Sequence, residues 1–229
     1  MDKDNQDIDK LKQEFIANAS HELKTPVTSI QLAVETAISA LENSEIEDAK
    51  RFMNQILKDS QRMTLLLSDL LDLSQLEVNN PEKELVRLNS IIDAEIGFLS
   101  NENKNRVVFE SEDIEFLIDP NDFSMIIRNL LRNACNYSEL DKEINIKLFK
   151  DEPNVVLSVV DKGRGIATTD QERIFERFYR VQEKEVLENS GTGLGLSIVK
   201  NLVHLMDGSV GNEQAHPNGT IFWFTLNID

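Results

Sequence analysis

The stretch Phe15-Ile16-Ala17-Asn18-Ala19-Ser20-His21-Glu22-Leu23-Lys24-Thr25-Pro26-Val27 sets the reading of the N-terminal part of the chain. Phe15, Ala19, Leu23 and Val27 step by four. Ile8 and Leu11 lead into that rhythm, and Ile30, Val34, Ala37 and Leu41 carry it on, so an apolar stripe follows one side of a long helix. A polar break, Glu42-Asn43-Ser44, comes next. Ala49, Phe52, Ile56, Met63, Leu66, Leu70 and Leu73 then form a second helical stripe, interrupted at Asp59. A helix of about 35 residues is about 50 Å long at ~1.5 Å rise per residue. Two such helices enclose little interior of their own. Joining two hairpins into a four-helix bundle would bury both stripes, so a homodimer is the expectation; a hairpin packed against the rest of the chain is the alternative.

Texture changes past this hairpin. Residues 1–79 hold no glycine and a single proline, Pro26, whereas all 9 glycines and the other prolines lie from Pro81 onward. A boundary near Val78-Asn79-Asn80-Pro81 therefore separates a helical domain, 1–79, from a second domain, 80–229. The whole chain has 229 residues, 40% of them hydrophobic, which supports packed cores rather than disorder. Its 41 acidic and 24 basic side chains give a net charge of −17, which argues against a nucleic-acid partner, since phosphate backbones are bound by clustered Lys and Arg. Cys135 is the single cysteine and cannot form an internal disulfide, in keeping with a reducing compartment. No apolar run approaches the ~18–20 residues of a membrane span, and no basic-then-apolar leader opens the chain. Direct membrane contact is not expected.

From Pro81 onward, strand-like and helical segments alternate. Leu85–Leu88, Val107–Glu110, Glu115–Ile118, Ile144–Phe149, Val155–Val160 and Thr220–Leu226 read as strands. Asn89 is placed to cap a helix through Ile91, Ile92, Ile96 and Leu99. Pro120 opens a second helix reaching about Tyr137, at a position where no amide proton is missed. Gly193–Met206 is a third. The fold class expected is a helical hairpin followed by an α/β sandwich, with helices on one face of a mixed sheet. The long polar segment from Gly165 to Gly191 has the character of a lid or binding loop.

Four constellations carry chemistry. His21 lies about 160° around the helix from Leu23, so its imidazole faces solvent, with Glu22 beside it and Thr25 one turn on. Pro26 removes the backbone donor that would reach residue 22 and loosens the helix there. An exposed imidazole oriented by a carboxylate suits a nucleophile, although an ordinary surface histidine fits the same position. On the helix after Pro120, Asn129, Asn133 and Asn136 share one side. Such amides can hold a Mg2+ ion that keeps waters and phosphate oxygens as its other ligands; a solvated polar face is the plainer reading. Asp161-Lys162-Gly163-Arg164-Gly165 leaves a strand, and Gly191-Thr192-Gly193-Leu194-Gly195 enters a helix. Glycines let the backbone approach phosphates, as ordinary turns also would. Neither cluster ends in Gly-Lys-Ser/Thr, and Leu196 stands where a dinucleotide fingerprint needs its last glycine. Between them, Phe175 and Phe178 can anchor the base of a lid while Arg177 and Arg180 project elsewhere as phosphate contacts.

The order of these clusters resembles that of the sensor histidine kinases. Phe15–Pro26 is similar to the phospho-acceptor box, Asn129–Ala134 to the N box, Asp161–Gly165 to the first glycine box, Phe175–Arg180 to the F box and Gly191–Gly195 to the second glycine box. The resemblance implies an ATP-binding domain of the histidine kinase and chaperone ATPase type. It implies that His21 takes the γ-phosphate of ATP, with Glu22 as general base. Asn133 would ligate Mg2+, supported by Asn129. Asp161 would meet the adenine amino group, with Gly163 and Gly165 letting the base lie close and Tyr137 lining the site. Gly191, Thr192, Gly193, Leu194 and Gly195 would form the lid hinge and phosphate-facing turn, and Arg177 and Arg180 would add charge. The resemblance further implies transfer to a response-regulator receiver domain, a homodimer, and, through Thr25, phosphatase activity on that regulator. It implies a cytoplasmic portion of a parent anchored in the cell membrane, with a sensor region outside this sequence. One departure stands out: family members commonly carry lysine where Asn136 sits. The alternative expectation is a dimeric nucleotide-binding scaffold, or an ATPase, without histidine phosphorylation.

Overall fold

The computed structural model of the chain describes residues 2–76, 81–181 and 191–228, with backbone alone at 2–12, 14, 75 and 76. The side chains of Ile8 and Leu11 and the junction residues Val78, Asn79 and Asn80 lie outside it. Two compact units emerge, Met1–Asp72 and Leu73–Asp229, a division that falls inside the span read as the first domain.

In the first unit, helix α1 (Asp2–Glu42) turns back into helix α2 (Ile46–Leu76). The turn is closed without glycine. Ser44 takes the left-handed conformation, its N–H bonds to the Leu41 carbonyl, and the Glu45 N–H reaches Ala40 at 2.8 Å. Helix α1 continues through Pro26.

The buried side of α1 differs from the stripe expected. Ala19, Pro26, Ala33, Ala37 and Ala40 are buried, whereas Val27, Val34 and Leu41 are exposed. Steps of four overshoot a full turn by about 40°, so Val27 has rotated out of line with Ala19. A step of seven falls short by only about 20°, which keeps Ala19, Pro26, Ala33 and Ala40 in register. On α2, Ala49 and Leu66 are buried as expected. The interruption at Asp59 is a polar contact between the helices. Its carboxylate accepts the Ser29 hydroxyl at 2.7 Å and the Gln55 amide at 3.0 Å.

The second unit runs β1 (Glu84–Arg87), α3 (Leu88–Gly97), α4 (Asn101–Lys104), β2 (Val107–Ser111), β3 (Glu115–Ile118), α5 (Pro120–Tyr137), β4 (Ile144–Asp151), β5 (Asn154–Asp161), a 3-10 turn at Arg173–Phe175, α6 (Gly195–Leu205), β6 (Ser209–Gln214) and β7 (Thr220–Asn227). Among the described residues, β1 and β3 form a small antiparallel pair. A mixed five-stranded sheet has the order β2-β4-β5-β7-β6, with β2 parallel to β4 and the other pairs antiparallel.

Alternation along the three central strands puts Ile144, Ile146 and Leu148, then Val155, Leu157 and Val159, then Phe222, Phe224 and Leu226 in the core. Against them pack Phe123, Ile127 and Leu130 of α5 and Ile198 and Leu202 of α6, with Phe123 edge-on to Phe224 at 6.2 Å. Asp119 caps α5 through the amides of Asn121 and Asp122, one residue before Pro120. Asn89 caps no helix. The α3 helix begins at Leu88, and the Asn89 amide instead ties down the loop after β2, donating to Ser111 Oγ and the Glu112 carbonyl and accepting from Ile114 N–H. No helix among the described residues is long and apolar enough to cross a membrane.

The far end of α5 is held by a buried cation. Arg106, 6% exposed, donates to the carbonyls of Ala134, Cys135, Ser138 and Glu139 and to Ser138 Oγ at 2.7 Å. A guanidinium at a helix C-terminus satisfies carbonyls that have no partner within the helix and complements their partial negative charge. Arg106→Met is therefore expected to destabilise the second unit by about 2–4 kcal/mol, since bonds from a charged donor contribute roughly 1.5–3 kcal/mol each and do not add fully. Urea denaturation checks this; an unchanged midpoint would mean that water replaces the guanidinium without loss.

Candidate functional site

On the first unit, His21 is exposed on α1, and Thr25, one turn on, donates its hydroxyl to the His21 carbonyl at 3.1 Å. Glu22 turns toward the second helix, where its Oε2 accepts from the Arg62 guanidinium at 2.9 Å, both side chains being about one quarter exposed. The neighbour of the imidazole is thus held by an ion pair across the hairpin. Arg62 is not among the residues that the motifs single out. Its signal in the sequence is faint, because a long-range ion-pair partner follows no local spacing.

On the second unit, a cleft opens where α5, the end of β5, the start of β7 and the entry to α6 converge. It encloses about 940 Å³ of atom-free space, part of it open to solvent. Asn133, Asn136 and Tyr137 of α5, Asp161, Gly165, Arg180, Gly191, Thr192, Gly193 and Gly195 all border it. So do Arg132, Arg164, Tyr179, Thr220 and Phe222, which the motifs do not assign.

Period-two alternation explains why a carboxylate lies here. Asp161 continues the buried face of β5 after Val155, Leu157 and Val159, where the sheet runs out under the cleft, and it is 3% exposed. One oxygen, Oδ1, accepts the amides of Gly163 at 2.8 Å and Thr220 at 3.3 Å. Burial pushes its carboxyl up from the ordinary aspartate value, while those amides and the charge of Arg106 pull it partly back. At Gly163 a Cβ would sit 2.2 Å from the Tyr137 carbonyl, so only glycine allows this turn to lie against the end of α5.

Not every motif residue borders the cleft. Asn129 is 5% exposed and does not line it; its Nδ2 donates to the Met125 carbonyl and its Oδ1 accepts from Arg132 at 2.8 Å. Leu194 is fully buried, and neither Gly163 nor Arg177 is in the lining. The F box and the second glycine box meet through the backbone. Phe178, at a φ of 64°, donates its N–H to the Gly193 carbonyl at 2.8 Å, and Gly193 itself is left-handed at a φ of 74°.

Comparison with known proteins fits this pairing of sites. Residues 11–79 match the family described as His Kinase A (phospho-acceptor) domain. Residues 118–229 match the one described as Histidine kinase-, DNA gyrase B-, and HSP90-like ATPase. The Sensor-like histidine kinase SenX3 of Mycolicibacterium smegmatis is 31% identical over 96% of this chain, and the Sensor histidine kinase WalK of Bacillus subtilis is 33% identical over 96%. The chain belongs to the sensor histidine kinases.

This histidine kinase chain spans 58% of the SenX3 relative and 37% of the WalK relative. Solved structures share its fold. The histidine kinase ThkA, in a complex with response regulator protein TrrA, superposes with a TM-score of 0.78 over 98% of this chain and 64% of that one at 19% identity. The Acinetobacter baumannii histidine kinase AdeS gives 0.68 over 91% of this chain and 98% of that one at 22% identity.

The raised Asp161 carboxyl has a measurable consequence. The folded state binds its proton more tightly than the unfolded state, so stability falls as pH rises from the ordinary aspartate range through the raised value. Asp161→Asn removes that slope while keeping an oxygen for the Gly163 and Thr220 amides. At pH 7 the variant is expected to match or exceed the wild type in urea denaturation, the gap closing as pH falls toward the carboxylate range. A variant clearly less stable at pH 7 would show that the two amides need the full charge.

Proposed function

We propose that this chain is the kinase core of a two-component system, which uses ATP to phosphorylate His21 and passes the phosphoryl group to an aspartate of a response-regulator receiver domain. The observation that carries the reading is one polypeptide bearing both halves of the reaction. It has a solvent-facing imidazole beside a tethered carboxylate, and a cleft floored by a buried carboxylate and walled by amides and arginines. The family models matched by residues 11–79 and 118–229 support it, and so does the ThkA complex with a response regulator.

In this proposal Asp161 selects adenine. With Oδ1 occupied by the two backbone amides, its other oxygen accepts from the amino group of the base. Gly165, Tyr137 and Thr220 line the same part of the site. The Asn133 carboxamide borders the cleft, and among the described residues no group of three acidic, histidine or cysteine side chains forms a separate metal site. A neutral amide donor fits Mg2+ that keeps phosphate oxygens and waters as its other ligands, and the ion would neutralise phosphate charge. Arg180, at the lid's base, approaches the terminal phosphates. For transfer, one ring nitrogen of His21 attacks the γ-phosphorus in line and ADP leaves. Arg62 holds Oε2 of Glu22, and Oε1 accepts the proton from the other ring nitrogen. The rate gain comes from alignment and charge neutralisation.

The same hairpin serves two further roles in the proposal. Exposed Val27, Val34, Ile38 and Leu41 on α1, with Leu57, Leu67 and Leu71 on α2, form the surface that a second copy covers in a homodimeric four-helix bundle. Thr25, one turn from His21, orients water against the receiver's phosphoaspartate, which makes the protein a phosphatase as well. The chain is read as the cytoplasmic portion of a longer, membrane-anchored sensor, in line with the greater length of its curated relatives.

Incubation with γ-labelled ATP is expected to leave acid-labile, base-stable label on the protein and none on His21→Ala. Label surviving in that variant would overturn the assignment of His21. Thr25→Ala is expected to lose most phosphatase activity, about tenfold or more for a positioned water, with autophosphorylation largely retained. Equal losses of both activities would contradict the division of labour.

A further inference from the structure

The two polar residues that accompany His21 are anchored in different ways. Thr25 is fixed within α1 itself, its hydroxyl on the His21 carbonyl at 3.1 Å. Glu22 is fixed from outside α1, its Oε2 accepting from the Arg62 guanidinium of α2 at 2.9 Å. A change confined to the contact between the helices therefore reaches the carboxylate and leaves the threonine where it is.

The register of the hairpin sets how far this pair must reach. Ser29 of α1 bonds to Asp59 of α2 and marks one level at which the helices face each other. Moving away from the turn, Glu22 is seven residues further along α1, about 10.5 Å at ~1.5 Å per residue. Arg62 is three residues further along α2, about 4.5 Å on the same measure. The remaining gap of about 6 Å along the axis is spanned by two long side chains. Their relative exposures of 28% and 25% leave the pair partly screened from water. A charge-assisted hydrogen bond in such a place fixes the direction of a carboxylate better than a pair standing free in solvent.

We propose that Arg62 is a positioning residue for the phosphorylation of His21 and has no part in the phosphatase step, so that its loss separates the two activities. This rests on the roles given to His21, Glu22 and Thr25 in the proposed function. During phosphorylation one ring nitrogen bonds to the γ-phosphorus, the bond to ADP breaks, and the proton of the other ring nitrogen passes to Oε1 of Glu22. That transfer needs the carboxylate in line with the ring, and the hold of Arg62 on Oε2 keeps it there. Without Arg62 the side chain of Glu22 spreads over its staggered rotamers and is seldom aligned. Water oriented by Thr25 needs neither Glu22 nor α2, because the Thr25 hydroxyl takes its own orientation from α1.

Two assays of the full chain test the assignment: autophosphorylation from γ-labelled ATP, and dephosphorylation of a receiver domain that the wild-type chain phosphorylates, charged separately with acetyl phosphate. Arg62→Met is expected to lower kcat for autophosphorylation about tenfold or more, part of the factor a general base supplies. KM for ATP is expected to stay within about twofold, since no cleft residue changes. The phosphatase rate is expected to stay within about twofold as well, and so reports an intact hairpin. Arg62→Lys is expected to recover part of the lost factor by returning a cation to Oε2. In a Glu22→Gln background, Arg62→Met is expected to cost little more, because a residue that acts through Glu22 has nothing left to position. An unchanged kcat in Arg62→Met, a parallel loss of phosphatase activity, no recovery in Arg62→Lys, or a full further loss on Glu22→Gln would overturn the proposal and leave His21 as the acceptor. A wild-type chain that takes no label would overturn the phosphorylation reading itself.

Discussion

Three chain segments of the second unit meet more closely than side chains allow, and the cleft depends on that meeting. The turn after β5 presses its Gly163 against the Tyr137 carbonyl at the end of α5, and the Gly219 turn before β7 comes as close to the Asp161 carbonyl, 2.0 Å from where a Cβ would stand. Asp161 joins these turns by accepting an amide from each side. Arg106 fixes the other partner by binding the Ala134 and Cys135 carbonyls in the last turn of α5. Helix end, strand end and incoming strand are thereby locked before any ligand arrives. Pre-organisation of this kind lets interactions with a bound molecule go into affinity and alignment rather than into ordering the protein.

How legible this was from sequence depends on where each signal lives. β5 and α5 were plain, because a short apolar, β-branched run from Val155 to Val160 and a Pro120 start are local patterns. Burial alternates along the folded strand and carries Asp161 inward, but the residues themselves do not alternate, so the face that Asp161 takes shows only in the structure. β6 was not, since Ser209-Val210-Gly211-Asn212-Glu213-Gln214 is polar and is a strand because it pairs with β7 at the sheet edge. Asn89 has a side chain suited to capping, but tertiary bonds to the loop after β2 outweigh that local option. Arg62 pairs with Glu22, a residue brought near by folding, and no motif marks it.

In the hairpin, sequence and structure part over size. The largest apolar residues of α1 suggest the buried side, yet the seam belongs to Ala19, Ala33, Ala37 and Ala40 with Pro26. Small side chains let two helix backbones approach closely, and a seven-residue repeat keeps them in line where steps of four drift away. Val27, Leu32, Val34, Ile38 and Leu41 are left exposed on other faces. A polar contact at Asp59 sits within this alanine seam and fixes which turn of α1 faces which turn of α2, through its bond with Ser29. Two carboxylates, Asp59 and Glu22, thus tie the helices in register, the second through Arg62.

The backbone bond between Phe178 and Gly193 has a consequence for how such a chain can diverge. It joins Phe178 and Gly193, the two feet of the intervening stretch, into one fixed stem. The entropy of closing a loop grows only as the logarithm of its length, by about 0.6 kcal/mol for each doubling. Insertions or deletions between the feet should therefore leave the stem, and the residues that border the cleft beside it, almost undisturbed. Among descendants of one ancestor this is where length should vary most freely, with the left-handed Phe178 and Gly193 as the points that hold still.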